Sequence, residues 1–166
     1  MHSKPVYLLL VLPKVEEQVG RPLSPYATTK ATNELYARNF FDLYGLEVCG
    51  LRYFNVFGPR QSPDGPYAAV IPLFIQNAIS GKKSKIFGDG LQSRDFSYVS
   101  NVVDANVRAL SLDEKTGQNL VMNIACGGKI TVSELHDLIS RIIHDKDNSN
   151  KIIPPEMLPP REGDIL

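Results

Sequence analysis

A phenol and an ammonium four residues apart, Tyr26 and Lys30, are where the chemistry of this sequence starts. Positions i and i+4 share one face of a helix, so a helix here would stand the two side chains together. A cation beside a tyrosine hydroxyl favours the phenolate and draws its pKa down from about 10 toward neutrality. Such a tyrosine can take a proton from a substrate hydroxyl and return it. Tyr-x-x-x-Lys also occurs often by chance on ordinary helix surfaces. The surrounding elements and motifs therefore decide its meaning.

The elements needed to position the pair are readable. Ser24-Pro25 is a helix start, with serine as N-cap and proline in the first turn. Helical spacing then runs through Ala27, Ala31, Leu35 and Phe41 to Tyr44, and Gly45 stops it. The apolar run from Leu46 to Phe54 predicts a buried strand ended by Gly58-Pro59, followed by turn chemistry from Gln61 to Pro66. A second helix fits Ala68 to Ser80, closed by Gly81. Lys85 to Phe87 and Asp95 to Val99 predict short strands on either side of Gly88-Asp89-Gly90. Ser100 or Asn101 can cap a helix through Leu112, with Val103, Val107 and Leu110 on its apolar face. Leu120 to Ala125 predicts a strand turned by Gly127-Gly128. Thr131-Val132-Ser133-Glu134 is a capping box opening a helix with Leu135, Leu138, Ile139 and Ile142 inward. From Asp145 the chain is polar and then rich in proline. Strands alternating with helices argue for an α/β sheet, parallel or mixed.

Composition narrows the function classes. The chain has 166 residues, 43% apolar and 22% charged, which suits one globular domain with a core. Eighteen basic residues balance eighteen acidic ones, which removes the electrostatic warrant for nucleic acid. No run approaches the ~18 apolar residues of a membrane span. The apolar stretch Val6 to Leu12 ends in Pro13-Lys14 with no small-x-small cleavage site, so it reads as a buried strand or a damaged chain start, not a secretion signal. Cys49 and Cys126 read as small buried hydrophobes in a reducing, cytoplasmic compartment. No metal site is assigned.

Four motifs stand in one order. They are Arg21-Pro22-Leu23-Ser24-Pro25-Tyr26-Ala27-Thr28-Thr29-Lys30; Leu51-Arg52-Tyr53-Phe54-Asn55-Val56-Phe57-Gly58-Pro59-Arg60-Gln61; Phe87-Gly88-Asp89-Gly90 with Ser93-Arg94-Asp95-Phe96; and Arg161-Glu162-Gly163-Asp164. Together they resemble the extended short-chain dehydrogenase/reductases, the NAD-dependent epimerase/dehydratase family. Tyr67 to Pro72, with Asn33 to Ala37, looks most like the UDP-N-acetylglucosamine (or uronic acid) 4-epimerases.

The resemblance implies an α/β fold: the C-terminal part of a Rossmann-type doubly wound sheet, plus a smaller substrate-binding α/β domain, trimmed at both ends. Residues 1–57 would be the Rossmann remnant and 58–166 mainly the UDP-sugar part, with 101–125 packing back on the sheet. It implies Tyr26 as catalytic base, and Lys30 as the lysine that holds the nicotinamide ribose of NAD. Tyr53 and Phe54 would lie near the nicotinamide. Asn55 would contact the sugar-nucleotide phosphates, Val70 would offer backbone groups to uracil, and Arg94 and Arg161 would grip the UDP pyrophosphate and ribose, with Asp164 nearby. Guanidinium forks suit a pyrophosphate better than lysines. Ser3, four residues before Tyr7, matches the family's hydroxyl-binding Ser/Thr, although Leu8 stands where the family has glycine. A homodimer through the helix at 25–44 is also implied.

The family's Gly-rich phosphate loop, Gly-x-x-Gly-x-x-Gly, is not found in these residues. The expectation is therefore an epimerase-type chain that carries the acid–base pair and most of the sugar-nucleotide site, and is inactive alone. The rival readings are a UDP- or dTDP-sugar dehydratase or decarboxylase, and a non-catalytic pseudoenzyme or degraded gene product. Lys4-Pro5 before Val6-Tyr7, in place of an Asp-Glu pair, argues against a dehydratase.

Overall fold

The computed structural model describes residues 15–17, 19–22, 24–65, 68–113, 119–147 and 151–160. In chain order the elements are α1 (Pro25–Tyr44), β1 (Cys49–Tyr53), β2 (Asn55–Phe57), α2 (Val70–Ile79), β3 (Lys85–Phe87), β4 (Ser93–Arg94) and β5 (Phe96–Tyr98). They continue with α3 (Val99–Leu110), β6 (Leu120–Ile124), β7 (Ile130–Thr131), α4 (Val132–Lys146) and β8 (Glu156–Leu158). The chain divides into two compact units, Met1–Phe54 with Ser100–Gly127 and Asn55–Val99 with Gly128–Leu166. Three of the four strand pairs are parallel, which requires crossover connections and gives the expected α/β class.

In the first unit, β1 and β6 run parallel, from Cys49 opposite Leu120 to Tyr53 opposite Ile124. α1 begins as its sequence predicts. The Ser24 hydroxyl accepts from the Ala27 N–H at 3.1 Å, Pro25 takes a first-turn position, and Gly45 closes the helix at φ 66°. No α1 residue is buried. Ala27, Ala31, Glu34, Ala37 and Phe41 form a half-buried stripe along the helix.

In the second unit, β2 pairs with β5 and β3 with β8, both parallel, while β4 and β7 form a short antiparallel pair. The core is Phe74 from α2, Ile86 from β3, and Leu135 and Ile139 from α4, flanked by Val70, Ile71, Phe96, Ile130, Val132 and Ile143. The capping box forms in full: Thr131 Oγ1 accepts from the Glu134 N–H at 3.1 Å, and Glu134 accepts from the Thr131 N–H at 2.8 Å. That Thr131 N–H holds the Glu134 carboxyl below its ordinary value.

Several expectations are corrected. The run Leu46 to Phe54 is not one buried strand. β1 is half-buried at best, ordered pairing stops at Phe54, and β2 begins a separate ladder. α2 starts at Val70, two residues late. The predicted strand from Asp95 to Val99 is Phe96–Tyr98, and Val99 opens α3. Val103, Val107 and Leu110 are exposed; Val102 is the buried residue of that helix. α4 buries Leu135, His136, Ile139 and Ser140, while Leu138 and Ile142 face outward. Cys126 is exposed and Cys49 only half-buried, so neither is a core residue. The proline-rich tail holds a strand, β8, that composition hides.

Candidate functional site

The first group lies on α1. Tyr26 sits in the first turn, 71% exposed, and Lys30 Nζ stands 5.3 Å from the centre of its ring. The helix thus brings the phenol and the ammonium together as their spacing requires. Tyr53 ends β1, and its hydroxyl donates to Asn106 Oδ1 at 2.9 Å. Phe54 follows, its N–H donating to Ile124 O at 3.1 Å, one step beyond the β1–β6 ladder.

The second group lies in the second unit, where Asn55, Val70 and Arg94 line one cavity of about 280 Å³. Three separate segments supply them: the start of β2, the first turn of α2, and β4. Arg94 is half-buried, with Nη1 donating to Ser93 O at 2.9 Å. Asn55 Nδ2 donates to Asp95 O at 3.0 Å, which fixes the amide at the cavity wall. α2 opens on Ala69, whose side chain cannot cap, so the first-turn N–H groups at Val70 and Ile71 have no side-chain acceptor there. Phe57, Phe87 and Phe96 supply aromatic wall, and Lys85 a second cation.

Gln61 and Gln92 line the same cavity and were not assigned from sequence. Gln61 Nε2 donates to Val56 O at 3.2 Å and Gln92 Nε2 to Phe87 O at 2.9 Å, which fixes both amide orientations. Each Oε1 is then buried without a partner among the described residues, an acceptor that a ligand N–H or O–H could satisfy. Gln61 stood in a motif already singled out and Gln92 beside another. Their orphaned oxygens, however, have no signature in sequence. Ser3, Arg161 and Asp164 lie outside the described residues, and nothing structural attaches to them.

The donor set fits NAD in part. An exposed Tyr–Lys pair suits a nicotinamide ribose. A pyrophosphate cradle at a helix N-terminus is not found among the described residues, for Gly88 to Gly90 lead to β4 and not to a helix. Among the described residues there is no group of three metal-ligating side chains, and no helix long and apolar enough to cross a membrane.

An α/β fold, a Tyr-x-x-x-Lys helix and a cation-bearing cavity after the parallel strands define a Rossmann-like enzyme class. The model of the NAD dependent epimerase/dehydratase family matches residues 11–125, and the chain belongs to that family. It is 38% identical over 165 residues to a putative UDP-glucose 4-epimerase of Methanocaldococcus jannaschii, covering 99% of this chain and 49% of that protein. It is 37% identical to a UDP-glucose 4-epimerase of Mycolicibacterium smegmatis, over 92% of this chain and 46% of that one. Among solved structures, the UDP-N-acetylglucosamine 4-epimerase of Methanobrevibacter ruminantium, in complex with UDP-N-acetylmuramic acid, superimposes with a TM-score of 0.83. It shares 42% identity over 93% of this chain and 47% of that one. The chain therefore spans about half the length of these relatives.

Proposed function

We propose that this chain carries the acid–base pair and the nucleotide-sugar pocket of an NAD-dependent UDP-sugar 4-epimerase. One observation carries the reading: Asn55, Val70 and Arg94, picked out by motif position alone, line a single cavity. Its features suit a uridine diphosphate. Arg94 and Lys85 would face phosphate oxygens, the aromatic wall and the orphaned glutamine acceptors would suit the base or ribose, and the open N–H groups at Val70 would donate to uracil carbonyls. Arg161 and Asp164 would complete the grip on the ribose.

In this reading Tyr26 takes the proton from the sugar 4-hydroxyl and later returns it. Lys30 holds the nicotinamide ribose, with Tyr53 and Phe54 nearby and Ser3 on the reacting hydroxyl. Bound NAD would supply the reversible hydride acceptor that such an inversion needs. The first unit is then the cofactor side and the second the substrate side. Exposed Leu35 and Tyr36 on α1 make that helix the face for a second copy.

Calorimetric titration with UDP tests the pocket directly. The chain should bind UDP, and Arg94→Ala should weaken binding by roughly 2–4 kcal/mol by removing a phosphate partner. Tyr26→Phe should leave UDP affinity unchanged and abolish 4-epimerisation wherever the wild-type residue supports it. No UDP binding, or an Arg94→Ala variant that binds as well, would refute the assignment of the cavity.

A further inference from the structure

We propose that Arg52 and Glu34 are positioning residues for the Tyr26–Lys30 pair: the Arg52 fork ties α1 to β1 and keeps the Glu34 carboxylate from capturing Lys30. Tyr26, Lys30 and Glu34 follow one another at intervals of four along α1, hence on one face. By that spacing Lys30 and Glu34 are natural partners on a helix surface. They are not paired here. Arg52 Nε donates to Glu34 Oε1 and Arg52 Nη2 to Glu34 Oε2, both at 2.7 Å, a bidentate clasp that occupies both carboxylate oxygens. Lys30 is left over the Tyr26 ring.

The clasp is itself anchored. Arg52 Nη1 donates to Glu16 O at 3.1 Å, and the Glu16 carboxylate accepts the Asn123 N–H of β6 at 2.7 Å. One guanidinium thus joins the helix, its own strand and the segment at 15–17. α1 has no fully buried residue and its inner stripe is small apart from Phe41 (Ala27, Ala31, Ala37), so this bidentate tie adds a directional restraint on how the helix rolls about its axis. With Arg52 removed, Glu34 would hold an unpaired carboxylate one turn from Lys30 and draw the ammonium away from Tyr26.

The purpose of this arrangement rests on Tyr26 and Lys30 being the acid–base pair; the arrangement itself does not, and the test separates the two. A lysine over an aromatic ring carries an upfield ring-current shift on its ε-methylene, assignable in the isotope-labelled chain by its loss in Tyr26→Leu. Arg52→Gln should reduce that shift by at least half. Glu34→Gln and the double variant Glu34→Gln/Arg52→Gln should retain it, because the competing carboxylate is gone. A carbodiimide, which joins a carboxylate to a touching amine, should yield a Lys30–Glu34 amide in Arg52→Gln at least fivefold above wild type. A purely structural clasp would instead lose the shift in all three variants, and that result overturns the proposal. So does an Arg52→Gln chain that keeps the shift and gives no added cross-link. Amide-exchange protection along β1 and β6, the paired strands of the same unit, reports that each variant is folded, and Arg52→Lys, which keeps the charge, should give an intermediate shift if Arg52→Gln does not fold. Turnover surviving in Tyr26→Phe would sink the catalytic reading and leave these shifts where they are.

Discussion

Gly90→Ala isolates the turn that sets one wall of the cavity. Gly90 is buried at φ +72°, and its carbonyl accepts the Ser133 N–H at 3.1 Å, which binds the loop after β3 to the first turn of α4. A Cβ at this position would collide with Ser133 Oγ and crowd Ile86 Cγ2 at 3.3 Å. Ile86 is 1% exposed in the core and has no room to yield. Two costs add. The left-handed backbone conformation costs an L-residue about 1–2 kcal/mol, and overpacking at a closed site about 1–3 kcal/mol. The expected loss is about 2–5 kcal/mol, read from urea unfolding by circular dichroism together with amide exchange in α4. Adding Ser133→Ala should recover part of the overpacking cost and none of the backbone cost. UDP affinity should fall as well, because Gln92 and Arg94 follow directly in the chain and Gln92 O accepts the Val132 N–H at the same helix start. A Gly90→Ala chain within about 0.5 kcal/mol of wild type would show that the loop is free to move and that the cavity wall is not set by this glycine.

Acid should loosen α1. The Arg52 fork holds the Glu34 carboxyl below its ordinary value of 4.5, so the favourable contribution is present above that pH and is lost as pH falls through the folded value. With both side chains partly exposed it amounts to about 1 kcal/mol; protection factors of α1 amides, each rate taken relative to the intrinsic rate at that pH, should fall between pH 6 and 3 in wild type and lack that acid limb in Glu34→Gln. Thr131→Ala should cost about 1 kcal/mol by deleting the N-cap of α4, with Thr131→Ser near neutral, as measured by thermal or urea unfolding. The 166 residues should not bind NAD tightly, because in the proposed reading Lys30, Tyr53 and Phe54 would meet only its nicotinamide end; micromolar affinity by calorimetry would contradict this.

What was legible in the sequence was what a few neighbouring residues decide. Ser24-Pro25, Gly45 and the Thr131–Glu134 box act through bonds three or four residues long, and each helix end lies where those residues place it. The misses involve distant partners. β8 is a strand because Glu156 to Leu158 pair with β3, not because a stretch flanked by Pro155 and Pro159 favours extension. The valines of α3 share an apolar face, but periodicity cannot say whether anything covers it. In α4 the buried stripe includes His136 and Ser140, with His136 edge-on to Phe74 at 5.3 Å. A count of apolar positions therefore turned the helix toward Leu138 and Ile142.

The motif from Leu51 to Gln61 shows why site residues were easier to find than their surroundings. Arg52, Tyr53 and Phe54 belong to the first unit and Asn55 and Gln61 to the second, so one short stretch serves both. Its apolar run looks continuous, which is why it reads as one strand. Yet pairing passes from β6 to β5 across Phe54, with Phe54 N–H on Ile124 O and Asn55 N–H on Asp95 O at 3.3 Å. A strand that changes partners must keep its backbone extended while its side chains answer to two environments. Arg52 answers to Glu34 on one side of that change, and Asn55 to Asp95 on the other. Residue types record both demands, whereas the point of exchange is set by β5 and β6, more than forty residues downstream, and only the folded chain locates it.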